Sequence, residues 1–313
     1  MNEGSSPRSI HATRGKTRGV LAAAATLTWG ASAFADAAPE QWRSTGYYVA
    51  HGALTAGLLA GGALTDAARE ELAAGGDTVW FPGDAGLRGE CSPEAAQLSD
   101  VSLVLSIGLP VGMELGGGLD ASFVNAEIVY TEALLTTRLL TSAAKVVFRR
   151  PRPFSYRKDA DCAFDMEASD AYMSFFSGHS SASFTAAFAG SLLQSETGLD
   201  RRTRAAIWSA QLALAGATAN LRARAGKHYY SDILVGALVG AGVGIAMPLL
   251  HGGDTLPTGS DLLAGAIGLV IGVGGSQLVA LGAEAVDDGA PPSIAVSPLP
   301  LASAVGAQVL GVF

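Results

Sequence analysis

Apolar residues run along this chain in long stretches at helical spacing, separated by short polar or Gly/Pro-rich breaks. From Gln41 to Ala74 the pattern predicts a helix, with Tyr48, Val49, Leu54 and Leu58 among its apolar positions and a charged end at Asp66–Glu71. His51, inside that stretch, reads as a packed side chain. Gly75 to Asp100 carries Gly, Pro and mostly acidic charge and reads as a loop. Val101 to Leu119 is apolar but interrupted by Pro110 and a glycine run. Ala121 to Phe148 predicts a long helix bearing Glu127, Glu132, Arg138 and Lys145. Pro151 and Pro153 stop it, because proline cannot continue a helix and restricts the residue before it. Arg152, held between them, is expected in an extended conformation.

Phe154 to Phe176 is a polar loop holding Asp159, Asp161, Asp165, Glu167 and Asp170, read as a solvated connection with a lid as the alternative. Helices follow at Ser177–Leu193, Ala205–Leu221, Tyr229–Leu250 and Leu262–Leu281, with a charged turn at Glu196–Arg204. From Glu284 the chain turns into a Pro/Gly-rich linker, then weakly alternating segments at Ser293–Val296 and Gly306–Phe313 that suit short strands. The expected architecture is all-α, a helical bundle with a short irregular or β tail.

Ahead of the first helix lies an N-terminus of export type. Arg8, Arg14, Lys16 and Arg18 precede a short run of small and apolar residues, Val20 to Ala35, ending in Ala33-Phe34-Ala35. That reads as a cleaved signal, a first transmembrane helix being the alternative. The division is therefore 1–35 export signal, 36–283 helical domain and 284–313 linker and tail. Cys91 and Cys162 are the two cysteines. In an exported protein they make one bridge, or else two buried thiols.

Of the 313 residues, 49% are apolar and 15% charged, so a membrane reading has to be weighed. Ile233–Leu250 and Leu262–Leu281 are long and uncharged enough to be candidate spans. Charge on the earlier helices inclines the reading to an exported, largely periplasmic domain, with an integral membrane protein whose site faces the periplasm as its rival. A net charge of −8 argues against a nucleic-acid partner.

Three clusters carry candidate chemistry. Lys145 is followed after six residues by Arg152-Pro153. Ser177-Gly178-His179 opens a helix, where free amides and the helix dipole favour an anion. Arg222 is followed after five residues by His228 and after three more by Asp232. On a helix His228 and Asp232 share a face, so the carboxylate can take the proton of one ring nitrogen and leave the other nucleophilic. Singly, each cluster is as well explained by a dipole-satisfying cation, an N-cap serine or a surface ion pair.

Their order and joint spacing resemble the signature of the type 2 phosphatidic acid phosphatase superfamily, which is similar to bacterial class A acid phosphatases and vanadium haloperoxidases. The family pattern is Lys-x6-Arg-Pro, Pro-Ser-Gly-His and Ser-Arg-x5-His-x3-Asp. This chain keeps nine positions and departs at two, with Phe176 for a proline and Leu221 for a serine. The resemblance implies a helical core and a phosphatase acting on phosphate monoesters, lipid phosphates or prenyl diphosphates through a phosphohistidine. It makes His228 the nucleophile, Asp232 its orienting partner and His179 the proton donor. Lys145, Arg152, Ser177, Gly178 and Arg222 become the phosphate cradle. No metal or other cofactor is required, and vanadate is expected to inhibit. A haloperoxidase-like enzyme with vanadate as cofactor, and a non-catalytic phosphate-binding relative, are the alternatives.

Overall fold

A computed structural model describes residues 43–70, 83–157 and 168–287, the isolated positions Phe81, Cys162 and Phe164, and two strands at 294–301 and 304–311. The export segment and most of residues 158–167 lie outside the described residues. Among those described are seven α-helices: α1 (Thr45–Glu70), α2 (Pro93–Leu115), α3 (Ala121–Phe148), α4 (Gly178–Ser195), α5 (Arg201–Arg224), α6 (Tyr230–Leu250) and α7 (Gly259–Asp287). Strands β1 (Ile294–Leu301) and β2 (Ala304–Gly311) pair antiparallel, Ile294 facing Gly311. The all-α expectation with a short β tail holds; β1 runs on past Val296, and β2 starts two residues ahead of Gly306.

Capping residues set several helix starts. Ser92, Asp120 and Asp200 accept bonds from the backbone amides of Ala95, Phe123 and Arg202, satisfying groups that have no intrahelical partner. Two expectations need correction here. The segment Gly75–Asp100 is not loop to its end, because Ser92 as cap and Pro93 at the first helical position start α2 there. Nor does Pro110 break the apolar run, since it sits inside α2. Its ring rests on Gly190 of α4, where a Cβ would lie 2.6 Å from it, and its carbonyl accepts from Gln194 Nε2 at 3.2 Å. Tertiary contact on that face compensates a proline that a lone helix would tolerate poorly.

Helix α4 is central, packed on α6, α5, α2 and α3, while α1 lies on α3 and α7 on α5. Two seams are close enough for backbones to touch. A Cβ on Gly240 of α6 would stand 2.2 Å from the carbonyl of Ser181, and one on Gly272 of α7 would stand 1.9 Å from that of Ala213. Small residues at such seams are how helices pack closely in a bilayer. Trp208, Leu212 and Phe184 fill the core between them.

Among the described residues three helices, α2, α6 and the Gly259–Ala280 part of α7, are long and apolar enough to cross a membrane. Only 22%, 28% and 22% of their apolar windows are buried inside the protein, so most of that surface faces outward. Val104, Leu238 and Val270 lie 64–73% exposed. Apolar bands of that extent mark contact with lipid or another apolar partner.

Candidate active site

The C-terminal end of α3, the start of α4, the end of α5 and the turn into α6 meet at one end of the bundle, and all three clusters lie there. Lys145 is buried in the last turn of α3. Arg149 then ends the helix in a left-handed conformation (φ 44°), its amide donating to Lys145 O. The two prolines follow, and Arg152 is extended at φ −76°, ψ 156°, as the Pro-Arg-Pro sequence predicts.

Arg152 faces His228. Its Nη1 donates to the Lys227 carbonyl at 2.9 Å and approaches His228 Nε2 at 3.3 Å. Its Nε and Nη2 hold the carbonyl and carboxylate of Asp170 at 2.8 and 2.9 Å. Because a guanidinium can only donate, His228 Nε2 carries the lone pair and Nδ1 the proton.

His228 departs from expectation in one respect. It precedes α6 rather than sharing a helical face with Asp232, and Nδ1 stands 3.8 Å from Asp232 Oδ2, beyond hydrogen-bond length. The carboxylate is engaged elsewhere. It accepts from Arg150 Nη1 at 2.5 Å, Ser174 Oγ at 2.5 Å and the Tyr229 amide at 3.0 Å, this last bond capping α6. Asp232 thus faces His228 as a fixed charge, held by groups that the spacing pattern does not contain.

Arg150 is the residue sequence reasoning missed. It is fully buried, bonds Asp84 Oδ2 at 2.8 Å and Ser231 Oγ at 2.7 Å besides Asp232, and lies 4.0 Å from the centre of the Tyr229 ring. Asp84 in turn accepts from the Ser231 amide and hydroxyl. Arg-Arg-Pro-Arg offers three adjacent arginines, and only the chain path decides which one turns inward.

Ser177 caps α4, accepting from the Ser180 amide at 3.3 Å, which is the structural role its type favours. Its own amide donates to Asp232 O at 3.0 Å and so joins the second cluster to the third. Gly178 lies beside Lys145, a Cβ there falling 3.9 Å from Nζ. His179 Nε2 pairs with Asp100 Oδ1 at 2.7 Å, and Arg222 Nη1 lies 3.2 Å from Ser99 Oγ and 3.6 Å from Asp100. Asp100 and Asp170 therefore each hold a cationic or basic group of the cradle. Neither was singled out in the sequence, since each depends on a fold contact.

The turn between α5 and α6 needs Gly226. Its φ of +66° is left-handed, and a Cβ there would stand 1.7 Å from Glu90 O. The two departures from the signature are apolar packing: Phe176 is buried, and Leu221 sits with Ala95, Ala225 and Ala280. Cys91 and Cys162 form a disulfide, tying the start of α2 to the loop that leads to Asp170.

Electrostatics follow from crowding. Burial, then Arg152, Arg222 and Lys145, pushes His228 well below the ordinary imidazole value, so it is neutral at physiological pH. Burial and Arg222 lower His179 to about 4 against the opposing pull of Asp100. Burial, with Arg152 and Arg222, brings Lys227 down to about 8. A dianion bound here would offset the contribution of the cations and raise the affinity of His179 for a proton.

A cleft of about 390 Å³ opens from this end, lined by Lys145 and Gly178 at the site, by the apolar Ile107, Leu134, Leu135 and Ala182, and by polar groups that include Asp66, Arg138, Thr141 and Ser142.

Comparison with known proteins gives one result for the family. A sequence model described as the PAP2 superfamily matches residues 126–255, a span that contains all nine signature positions. No curated protein and no solved structure matches the chain.

Proposed function

We propose that this chain, whose residues 126–255 match the PAP2 superfamily model, is a metal-independent lipid phosphatase working through a phosphohistidine. The observation that supports it most directly is the neutral His228 ring, its lone pair facing Arg152 and its N–H side facing Asp232, among the cations Lys145, Arg152 and Arg222.

His228 Nε2 attacks phosphorus, the bond to the leaving oxygen breaks, and His179 gives that oxygen its proton. Asp232 stabilises the positive ring that results, while Lys145, Arg152 and Arg222 hold the three equatorial oxygens as charge spreads over them. His179, now neutral, takes a proton from water, the hydroxide attacks phosphorus, and the P–N bond breaks to release phosphate.

The cleft beside Lys145 and Gly178 has the volume of a ligand pocket, about 300–1,000 Å³, and its apolar side, Ile107, Leu134 and Leu135, gives a hydrocarbon chain a surface to lie on. The outward apolar bands of α2, α6 and α7 favour the membrane-embedded form over a largely soluble periplasmic domain. The Cys91–Cys162 bridge supports an exported site, since disulfides persist in oxidising compartments.

The test is a ³²P-labelled lipid phosphate mixed with the detergent-purified protein and quenched in the steady state. Wild type should carry acid-labile label and His228→Ala none, with turnover lost. Label retained on His228→Ala would overturn the assignment of the nucleophile. A soluble ester turned over faster than any lipid phosphate would overturn the substrate class.

A further inference from the structure

Away from the phosphatase site the bundle holds a second polar cluster. His51 of α1, Glu132 of α3 and His251 at the end of α6 are all buried, 2%, 0% and 8% exposed. His51 Nδ1 lies 2.8 Å from Glu132 Oε1, and His251 Nε2 lies 2.9 Å from Oε2. The three ligand atoms lie within 4.8 Å of one another. Thirteen residues of α3 separate Glu132 from Lys145, about 20 Å along the axis, so the two sites are distinct.

The tautomer of His251 is fixed. Its Nδ1 lies 2.8 Å from the Met247 carbonyl, which can only accept, so Nδ1 carries a proton. In neutral His251 the Nε2 lone pair then confronts a carboxylate oxygen at 2.9 Å. A positive charge has to lie between them, either a second proton or a metal ion. The proton leaves an imidazolium–carboxylate pair in the interior, where desolvation is expensive. One divalent ion instead satisfies both imidazoles and the carboxylate together. The Met247 contact is the backbone hydrogen bond that orients a metal-ligating histidine through its other nitrogen.

We propose that His51, Glu132 and His251 bind one divalent transition-metal ion of the zinc class, stapling α1, α3 and α6 at the end of the bundle opposite the phosphatase site. Two imidazoles and one carboxylate match a three-ligand zinc set with a position left for water. Magnesium and calcium, which take oxygen ligands, fit poorly. Tetrahedral ligands at zinc distances sit about 3.3 Å apart, so the two histidine–carboxylate contacts would open by a few tenths of an ångström while the wider separations, within 4.8 Å, close onto the ion. A cavity of about 180 Å³ reaches His251 and supplies the route and the room for that water. Arg43, Tyr47, Glu114, Asn125 and Glu196 line it, two carboxylates against one guanidinium.

The test uses the full chain purified without chelator. Plasma mass spectrometry should find about one zinc per chain. Stripping with a chelator should lower the melting temperature and Zn²⁺ should restore it, because an ion that binds only the folded state stabilises it by mass action. His251→Ala should lose more than the about 10–100-fold in affinity that removing an outer-sphere partner costs. Should that variant fail to fold, Co²⁺ added to stripped wild type gives the answer independently, through the strong visible bands of a tetrahedral nitrogen–oxygen site. No stoichiometric metal, a melting temperature indifferent to chelator, or the spectrum of aqueous Co²⁺ would each overturn the proposal and leave a proton-sharing cluster.

Discussion

Replacing Arg150 with methionine keeps most of the apolar stem and removes the charge. Two buried carboxylates, Asp84 and Asp232, then lose the guanidinium that joins them. Deleting one partner of a buried ion pair costs about 3–5 kcal/mol, because the other charge stays desolvated and unpaired. For a domain of this size that is a fall of about 6–20 °C in melting temperature. Removing the second charge as well, in Arg150→Met/Asp84→Asn, should recover about 1–3 kcal/mol of the loss, since residues in one network do not add. Trp fluorescence during thermal unfolding in detergent reads this directly, Trp208 being fully buried. Turnover should fall with Arg150→Met, because Asp232 is then free to leave its place facing His228. A melting temperature like that of wild type, or strict additivity in the double variant, would refute the view of Arg150 as the clamp on Asp232.

Other consequences are as open to test. Asp100 raises the proton affinity of His179, so Asp100→Asn should move the ionisation below about 4 and shift the alkaline fall of kcat/KM to lower pH; an unmoved or alkaline-shifted limb counts against His179 as the acid. Excess chelator should leave the initial rate at low temperature intact and vanadate should inhibit, whereas activity lost in chelator and rescued by a divalent metal would put a metal in the reaction. Carbonate-washed membranes should retain the protein, with the mature chain beginning near Asp36. Release by carbonate would restore the soluble periplasmic alternative.

The helices and the three clusters were legible because each depends on local spacing: apolar period, capping residue, or a signature held within a few positions. What escaped depends on distant contacts. Arg150, Asp84, Ser174 and Asp100 acquire their roles only when α2, the Pro-Arg-Pro turn and α6 come together. The start of α2 could have been found from Ser92-Pro93-Glu94, a cap, a first-turn proline and an acidic first turn. His51 reads as packing when taken alone, and packed it is. Its partners lie 81 residues away in Glu132 and farther still in His251, beyond any local pattern.

The seam between α4 and α6 gives the helix a divided tolerance to change. Toward α4, Gly236, Gly240 and Gly244 recur every fourth residue with no room for a methyl group, a Cβ meeting backbone atoms of the neighbour at 2.2–2.9 Å. On the other side Leu234 and Leu238 are exposed, and any apolar residue of similar size would serve. The sequence of α6 is thus two interleaved texts, one nearly fixed and one freely rewritten. The fixed one works as a ruler: backbone against backbone, it sets the spacing between the helix that begins beside His179 and the helix that begins beside His228. Drift over evolutionary time can recolour the outer face without moving the two histidines relative to one another.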